Sequence, residues 1–413
     1  MESYDIVIIG AGPAGLMAAG HASELGARVL VLEKNSQAGI KLLMTGGGRC
    51  NFTNSASIKT FAASFGPKGS WLLSGLSVFN SNDILKFFSD RNIKSQVNEE
   101  GKIYPENNSA KSIKNVLVDY VESNGGKILF DSKVNKIVKK NNIIDKLILS
   151  NGTEIRADKY IIACGGNTYP KSGSSGDAYI WLKELGHKII KPRPALSPII
   201  IKDANTRILE GLSFSNVQLA LYKDNYLVAK ESGDLIFTLN GLSGPVALNL
   251  SRLITLQDKS HLTIKIDYFF QESKEELHMK IRDLIKFSPR ESIRNILSKL
   301  ILKRFVDFVL MNVDIDDSKK GADITKSDTI LIVNFLKEMN LQVLDIKGFD
   351  EAMITSGGVD LREVNQRTMA SKIFTNLYFA GEILDLDGPT GGFNLQVCWT
   401  TGYLAGESAA LSK

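Results

Sequence analysis

The 413-residue chain holds only three cysteines, Cys50, Cys164 and Cys398, widely spaced and without a Cys-x-x-Cys pair. That excludes a disulfide framework and a cysteine-based zinc site, so a reducing, cytoplasmic setting is expected. The four histidines, at positions 21, 187, 261 and 278, show no metal-ligand spacing, so no metal site is expected. No apolar run reaches the length of a membrane-spanning helix, and the N-terminal apolar run, with no basic residue before it, reads as a buried strand rather than a signal peptide. Internal repeats and low-complexity tracts are absent. No Ser/His/Asp set or carboxylate pair has hydrolytic spacing, which leaves catalytic residues unassigned. With 43% hydrophobic and 23% charged residues, the composition is that of an ordinary globular protein, and the length implies two or three domains.

What is present begins at once. Residues 4–9 form an apolar strand that runs into Gly10-Ala11-Gly12-Pro13-Ala14-Gly15, then a helical stretch, a second strand over 27–32, and Glu33. Gly10 permits a tight turn, Gly12 leaves room for a pyrophosphate, and Gly15 lets helix and strand approach. The helix start offers free N–H groups to phosphate, and Glu33 can accept hydrogen bonds from a ribose diol. The alternative, a glycine-rich turn of some other α/β unit, does not account for strand, helix and acid in register.

The fold class read from the chain is α/β. Alternating strands and helices fill the first 190 residues: strands at 127–130 and 134–138, a hairpin about Asn151-Gly152, and a buried strand at 159–163 before Cys164-Gly165-Gly166. After Pro192, Pro194 and Pro198 the pattern turns antiparallel, with strands at 199–201, 217–222, 235–238 and 262–266 and a short helix after Pro245. Two Ser-x-x-Glu capping boxes, Ser273 to Glu276 and Ser288 to Glu291, start expected helices of 274–287 and 289–311; a third covers 326–339. The expected domains are a discontinuous nucleotide-binding domain at 1–191 and 350–413, an antiparallel β domain at 192–271 and 341–349, and a helical domain at 272–340.

FAD is favoured over a nicotinamide as the resident nucleotide. About 360 residues past the first motif, a second buried strand closes on Gly381-Glu382, where a carboxylate would reach ribityl hydroxyls. Then Gly391-Gly392-Phe393-Asn394 opens the last helix, whose N–H groups would stabilise charge on a reduced flavin. No second Gly-x-Gly-x-x-Gly unit follows, so NAD(P)H is expected only as a transient electron donor, with oxygen as the alternative partner.

The run from Lys41 through Thr45-Gly46-Gly47-Gly48-Arg49-Cys50-Asn51-Phe52-Thr53-Asn54 resembles the signature of a three-domain bacterial flavoprotein family, described as BaiN-like, RdsA-like or aminoacetone oxidase-like. Gly165 to Gly173, Ser243-Gly244-Pro245, Thr355 to Val359 and Tyr378 to Asn394 extend the match across the chain. The resemblance implies a glutathione reductase-like FAD-binding Rossmann domain interrupted by a β-barrel-like domain and a small helical domain. It implies FAD contacts from Gly10, Gly12, Pro13, Ala14, Gly15, Glu33, Lys34 and Lys41. The flavin ring would pass Thr45, Gly46, Gly48, Arg49, Cys50 and Asn51. Val134 would meet adenine through its backbone, and Ala163, Cys164, Gly165, Gly381, Glu382, Gly391, Gly392, Phe393, Asn394 and Gln396 would complete the site. Relatives carry a histidine where this chain has Leu239, which removes that proton donor or moves its role, with Asn240 a candidate.

Four further residues carry two readings each. Cys50 is either a redox thiol or a small buried residue presenting backbone to flavin. Arg49 places charge at the cofactor or ties its own loop. Tyr169 and Lys171, just past a strand end, contact substrate or order a loop. His278 reads as a solvated helix residue.

The net charge of +5 is concentrated: between positions 277 and 304 eight Lys/Arg face two acids. This basic segment is the support for ribosomal RNA as a partner and dihydrouridine formation as the reaction. Against it, Arg290, Arg294 and Arg304 fall near the apolar arc of the expected 289–311 helix. A flavoenzyme acting on a small molecule, without membrane attachment, is the leading reading; a flavin-free nucleotide-binding module is the third.

Overall fold

The strand Tyr4–Ile9 is central because its apolar residues must be covered on both faces, and Ile6, Val7 and Ile8 are fully buried. In the computed structural model, which describes residues 4–412, it lies in a five-stranded sheet. The strand order is Leu377–Phe379, Ala157–Ile162, Tyr4–Ile9, Val29–Leu32, Lys127–Leu129, and every pairing is parallel. Ile9 pairs with Ile162 and Leu32, and Ile162 with Phe379, so four strands end level with one another. Open parallel sheets bind ligands beyond such carboxyl ends.

The last helix, Phe393–Leu411, packs on the first, Pro13–Glu24, with no side chain between them at two points. A Cβ on Gly402 would stand 2.5 Å from the Ala14 carbonyl oxygen, and one on Gly406 would overlap that of Ala18. His21 of the first helix stacks on Tyr403 of the last, with ring centroids 3.8 Å apart. The two ends of the sequence thus form a single core, and one unit comprises the chain up to Ala195 and from Phe349 onward.

The second unit, Leu196–Gly348, is a closed six-stranded barrel with helices around it. Its strand order is Ile199–Ile201, Gly241–Ser243, Tyr226–Thr238, Ser213–Lys223, Leu262–Asp267, Met339–Ile346. Barrel residues such as Leu221 and Ile264 share one apolar core with Ile281, Phe305 and Ile332 of the helices. The fold is therefore mixed α/β: a Rossmann-like parallel core, a small barrel and helices.

The helix 274–287 forms as Lys274–Phe287, with Ser273 and Glu276 exchanging both capping bonds. The expected helix over 289–311 does not. Pro289 and Arg290 lie in a turn, and two short helices, Ile293–Leu297 and Lys303–Asn312, replace it. Long-range backbone bonds win over the local capping signal: Ile293 N–H donates to the Lys319 carbonyl and Gly321 N–H to that of Glu291, while Ser292 supplies the cap. The third helix ends at Lys337, and Met339 already belongs to the barrel. His278 is not simply solvated; it is half-buried, and its Nε2 is enclosed without a hydrogen-bond partner.

Gly406→Ala should destabilise the first unit by about 1–3 kcal/mol, the ordinary cost of overpacking a tight contact. Urea denaturation of the variant against the parent protein measures it, and equal midpoints would contradict the close-packing argument.

Candidate active site

The three glycines of the first turn differ in what surrounds them. Gly10 has φ +105°, and a Cβ there would sit 2.6 Å from the Ala163 carbonyl oxygen. A Cβ on Gly15 would overlap the Gly10 carbonyl oxygen, so strand and helix meet backbone to backbone. Gly12 has nothing within 4 Å of its missing side chain. It is also the N-cap of the first helix and caps it with no side chain, so the N–H groups of that first turn have no side-chain acceptor. Pro13 and Ala14 follow as the first helical residues.

Glu33 stands at the end of the second strand, buried, and accepts from Ala11 N–H at 2.8 Å and from the backbone and side-chain amides of Asn35 at 2.9 and 2.8 Å. These bonds aim the carboxylate along the motif and leave acceptor capacity for a diol. Ser132 N–H donates to the Glu33 carbonyl, which brings Val134, buried two residues on, beside it. Lys34 turns elsewhere, donating to Ser175 Oγ at 2.5 Å and Asp177 at 3.1 Å.

At the far side of the strand ends, the Glu382 carboxylate gathers three residues. Lys41 Nζ lies 2.7 Å from its Oε2, while Thr355 N–H and Thr168 Oγ1 donate to Oε1 at 2.8 and 3.2 Å. Lys41 also donates to Thr168 Oγ1 at 2.6 Å. The sequence reading had Lys41 and Glu382 but not the two threonines. Thr355 sits in the Thr-Ser-Gly-Gly-Val segment and Thr168 in Gly-Gly-Asn-Thr-Tyr-Pro, and their motif membership was the available signal. Gly381 has φ +79°, and a Cβ on it would crowd Ala14 Cβ at 2.7 Å, so this loop lies against the first helix. Gly165, at φ +71°, likewise leaves room for Ser174 Oγ.

The loop of Thr45 to Asn51 is held from both sides. Gly46, Gly47 and Gly48 run through three consecutive left-handed conformations, and Cys50 follows at φ +61°. Arg49 is exposed; its Nε donates to the Gly46 carbonyl at 3.1 Å and its guanidinium lies 4.9 Å from the Tyr104 ring centre. Its contacts within the protein therefore serve the loop. Asn51 accepts from Ile103 N–H, and Trp399 Nε1 donates to the Phe52 carbonyl at 2.7 Å. Trp399 was not singled out from the sequence, since a lone tryptophan in a helix gives no sign of its partner.

The start of the last helix docks on the same loop. A Cβ on Gly392 would overlap the Thr53 carbonyl, and the Gly391 carbonyl accepts from Asn54 Nδ2 at 2.9 Å. The helix has Gly392, at φ +92°, as its N-cap and no side-chain cap. Asn394 closes the preceding loop by accepting from Gly388 N–H and donating to the Gly388 and Pro389 carbonyls. Gln396 is fully buried against Thr53 Oγ1 at 2.7 Å, and Phe393 packs on Phe61 with centroids 4.8 Å apart. These three side chains are committed to the protein, which leaves backbone N–H groups as what the segment can offer an anionic ring.

Burial pushes the thiols of Cys50, Cys164 and Cys398 up to about 12. Cys164 is also the donor in a 3.4 Å bond to the Ile9 carbonyl. A thiol so far from its thiolate is a poor nucleophile, which favours a packing role for Cys50 over redox chemistry. Among the described residues no cluster of His, Cys, Asp and Glu is placed to hold a metal.

The donors present fit FAD: an open glycine and uncapped helix start for the pyrophosphate, buried Glu33 for one ribose, Glu382 for the ribityl chain, and a second uncapped helix start for the ring. The match to the family described as HI0933-like protein Rossmann domain spans residues 4–408. The chain belongs to this family. It is an FAD-dependent oxidoreductase. It is 28% identical to a 3-dehydro-bile acid Δ(4,6)-reductase of Clostridium scindens over 98% of both chains. To a ribosomal RNA dihydrouridine synthase of Haemophilus influenzae it is again 28% identical over 98% of each. Its fold is shared with a 3-ketosteroid-Δ4-(5α)-dehydrogenase of Rhodococcus jostii, at 16% identity, TM-score 0.55 and coverage of 99% and 97%. No helix of the HI0933-like chain's described residues is long and apolar enough to cross a membrane.

Gly12→Ala should leave the protein folded, since its Cβ meets nothing, yet weaken FAD at least about tenfold by occupying the phosphate's space, about 1.4 kcal/mol. Gly15→Ala should fail earlier, in folding itself. Flavin titration alongside circular dichroism separates the two, and full FAD affinity in Gly12→Ala would refute the assignment. Ellman's reagent at pH 8 should find no fast-reacting thiol in the folded protein and three after denaturation; rapid labelling of Cys50 would reopen its redox role.

Proposed function

We propose that the protein reduces a carbon–carbon double bond conjugated with a carbonyl in a small organic substrate, with NAD(P)H as electron donor. One observation carries this reading. The bile acid reductase and the RNA dihydrouridine synthase are equally similar to the chain yet are named for unlike molecules. What those substrates share is the bond: a ring double bond conjugated to a ketone in one, the pyrimidine double bond conjugated to a carbonyl in uridine. Bound FAD supplies hydride to the β-carbon of such a system. The chain must then align the substrate, exclude water and deliver a proton to the α-carbon.

Tyr169 is our candidate for that proton. It follows the strand Ala157–Ile162, takes a left-handed φ of +51° and is half-buried, and its hydroxyl makes no hydrogen bond among the described residues. A left-handed, non-glycine backbone is costly and concentrates at functional sites, and a hydroxyl with no partner in the protein is free to donate to a ligand. Burial raises the phenol above its ordinary range, with Glu351 adding to the shift, so it remains a protonated acid at neutral pH. Activity that depends on it should hold through neutral pH and decline only in alkali, as pH rises through the raised value.

Tyr169→Phe should lower the rate at which an enone reoxidises the reduced enzyme by at least about tenfold, within the span typical of acid catalysis. Anaerobic reduction by NADPH should be unchanged. Stopped-flow measurement of the two half-reactions tests this, and equal enone rates would exclude Tyr169. If neither NADH nor NADPH bleaches the flavin while oxygen reoxidises a substrate-reduced enzyme, the protein is an oxidase and the reductase reading falls.

A second reading, reduction of uridine in ribosomal RNA, is favoured by a specific feature: Arg282, Lys286 and Arg290 are exposed and have no partner among the described residues. Nucleoside mass spectrometry of ribosomal RNA from a deletion strain decides it, because one dihydrouridine should vanish.

A further inference from the structure

The eight basic residues between 277 and 304 are not equivalent. Arg294 is held by Asp307, its Nη2 at 2.7 Å from Oδ2, Lys299 by Glu291 at 2.9 Å and Lys280 by Glu272 at 2.9 Å. Arg304 donates to the Glu210 carbonyl. Half of these basic side chains are therefore engaged inside the unit, three of them by carboxylates. Arg282, Lys286 and Arg290, by contrast, are exposed and make no ion pair or hydrogen bond among the described residues.

These free cations are arranged. Along the helix Lys274–Phe287, positions 279, 282, 283, 286 and 287 follow the three- and four-residue spacing that puts side chains on one face. Leu277, Ile281 and Ile285 form the opposite, buried face. The outer face carries Met279, Arg282, Asp283, Lys286 and Phe287, and Arg290 stands in the turn just beyond. Phe287 is 83% exposed and Met279 59%. A phenyl ring left this open at a helix end gains nothing from folding. The acids of this face are Asp283 and, in the first turn, Glu275 and Glu276, so the positive charge is confined to its C-terminal end around Arg282, Lys286 and Arg290.

We propose that this face docks RNA, with Arg282, Lys286 and Arg290 on phosphates and Phe287 as a stacking platform for an unpaired base. Guanidinium groups match phosphate geometry and aromatic rings accept any base, so cations flanking an exposed phenyl suit a single-stranded segment or loop. A lipid surface suits it less. An interfacial helix inserts a broad apolar face, and here the apolar face is already the core of the unit, leaving one Phe and one Met outside. The inference rests on the RNA reading above but can fail separately from it.

The test is a salt series of binding between the flavin-loaded full chain and a structured ribosomal RNA transcript. Each lost phosphate contact removes about 0.7–0.9 from the slope of log K against log salt, so the Arg282→Glu, Lys286→Glu, Arg290→Glu triple variant should flatten it by about 2. Phe287→Ala, which disturbs no packing, should weaken binding about tenfold with the slope unchanged. The Arg282→Lys, Arg290→Lys variant should keep the parent slope. Identical binding by parent, triple and Phe287→Ala proteins would overturn the proposal, as would binding to phosphatidylglycerol vesicles in preference to RNA. Loss of a dihydrouridine in the deletion strain together with unaltered binding by these variants would refute this face and keep the RNA reading; the converse would do the reverse.

Discussion

Contact between the backbones of the first and last helices is the constraint on which the rest of this molecule depends. Gly402 and Gly406 present no side chain to Ala14 and Ala18, so the helices approach as closely as their carbonyls allow. That contact fixes Gly381 against Ala14 and sets the end of Leu377–Phe379 level with the end of Tyr4–Ile9. Two sequence segments more than 350 residues apart thus become neighbouring walls of one crevice. A larger side chain at either glycine would displace not one contact but the alignment of the Gly10–Gly15 turn with Glu382.

The crevice shows how a protein keeps polar groups ready for a cofactor without leaving them unsatisfied. Glu382 is about as well solvated by Lys41, Thr168 and Thr355 as it would be by water, so it costs little to hold in place. The two helix starts are different: neither Gly12 nor Gly392 supplies a cap, and both leave N–H groups open. A stable protein ordinarily caps its helices with Ser, Thr, Asp or Asn. Several other helices of the chain also start without a side-chain cap. What sets these two apart is that each follows a glycine turn at the crevice, and Tyr169 adds a non-glycine left-handed backbone past the strand Ala157–Ile162.

The sequence made legible what is local or repeats with a short period. The opening strand, glycine turn, helix and acid are coded within thirty-three residues, and each glycine's role could be named before its neighbours were known. The barrel strands were recognisable from alternation, as in Leu262–Asp267, whose residues are buried every second position. What was not legible depends on partners distant in the chain. Thr168 and Thr355 acquire meaning only from Glu382, and Trp399 only from the Phe52 carbonyl. The helix expected over 289–311 failed for that reason: its capping box was genuine as a local signal, but backbone bonds to Lys319 and Gly321 offered more.

Charge is the case in which that limit matters most. On the expected long helix, Arg290 and Arg294 fell together beside an apolar arc, and no basic stripe emerged. Once the helix is broken at Pro289, Arg290 leaves Arg294 and joins Arg282 and Lys286, while Arg294 turns inward to Asp307. The same residues and the same net charge then describe a different surface. Local net charge measures how many cations a segment owns; affinity for a polyanion depends on how many remain unpaired, because an ion-paired side chain must surrender its carboxylate before it can meet a phosphate. Three of the eight are ion-paired and Arg304 is held by a carbonyl; of the four left over, three belong to the helix end and turn that carry the exposed phenyl ring. A partner is thus read from the residue of charge that folding leaves over.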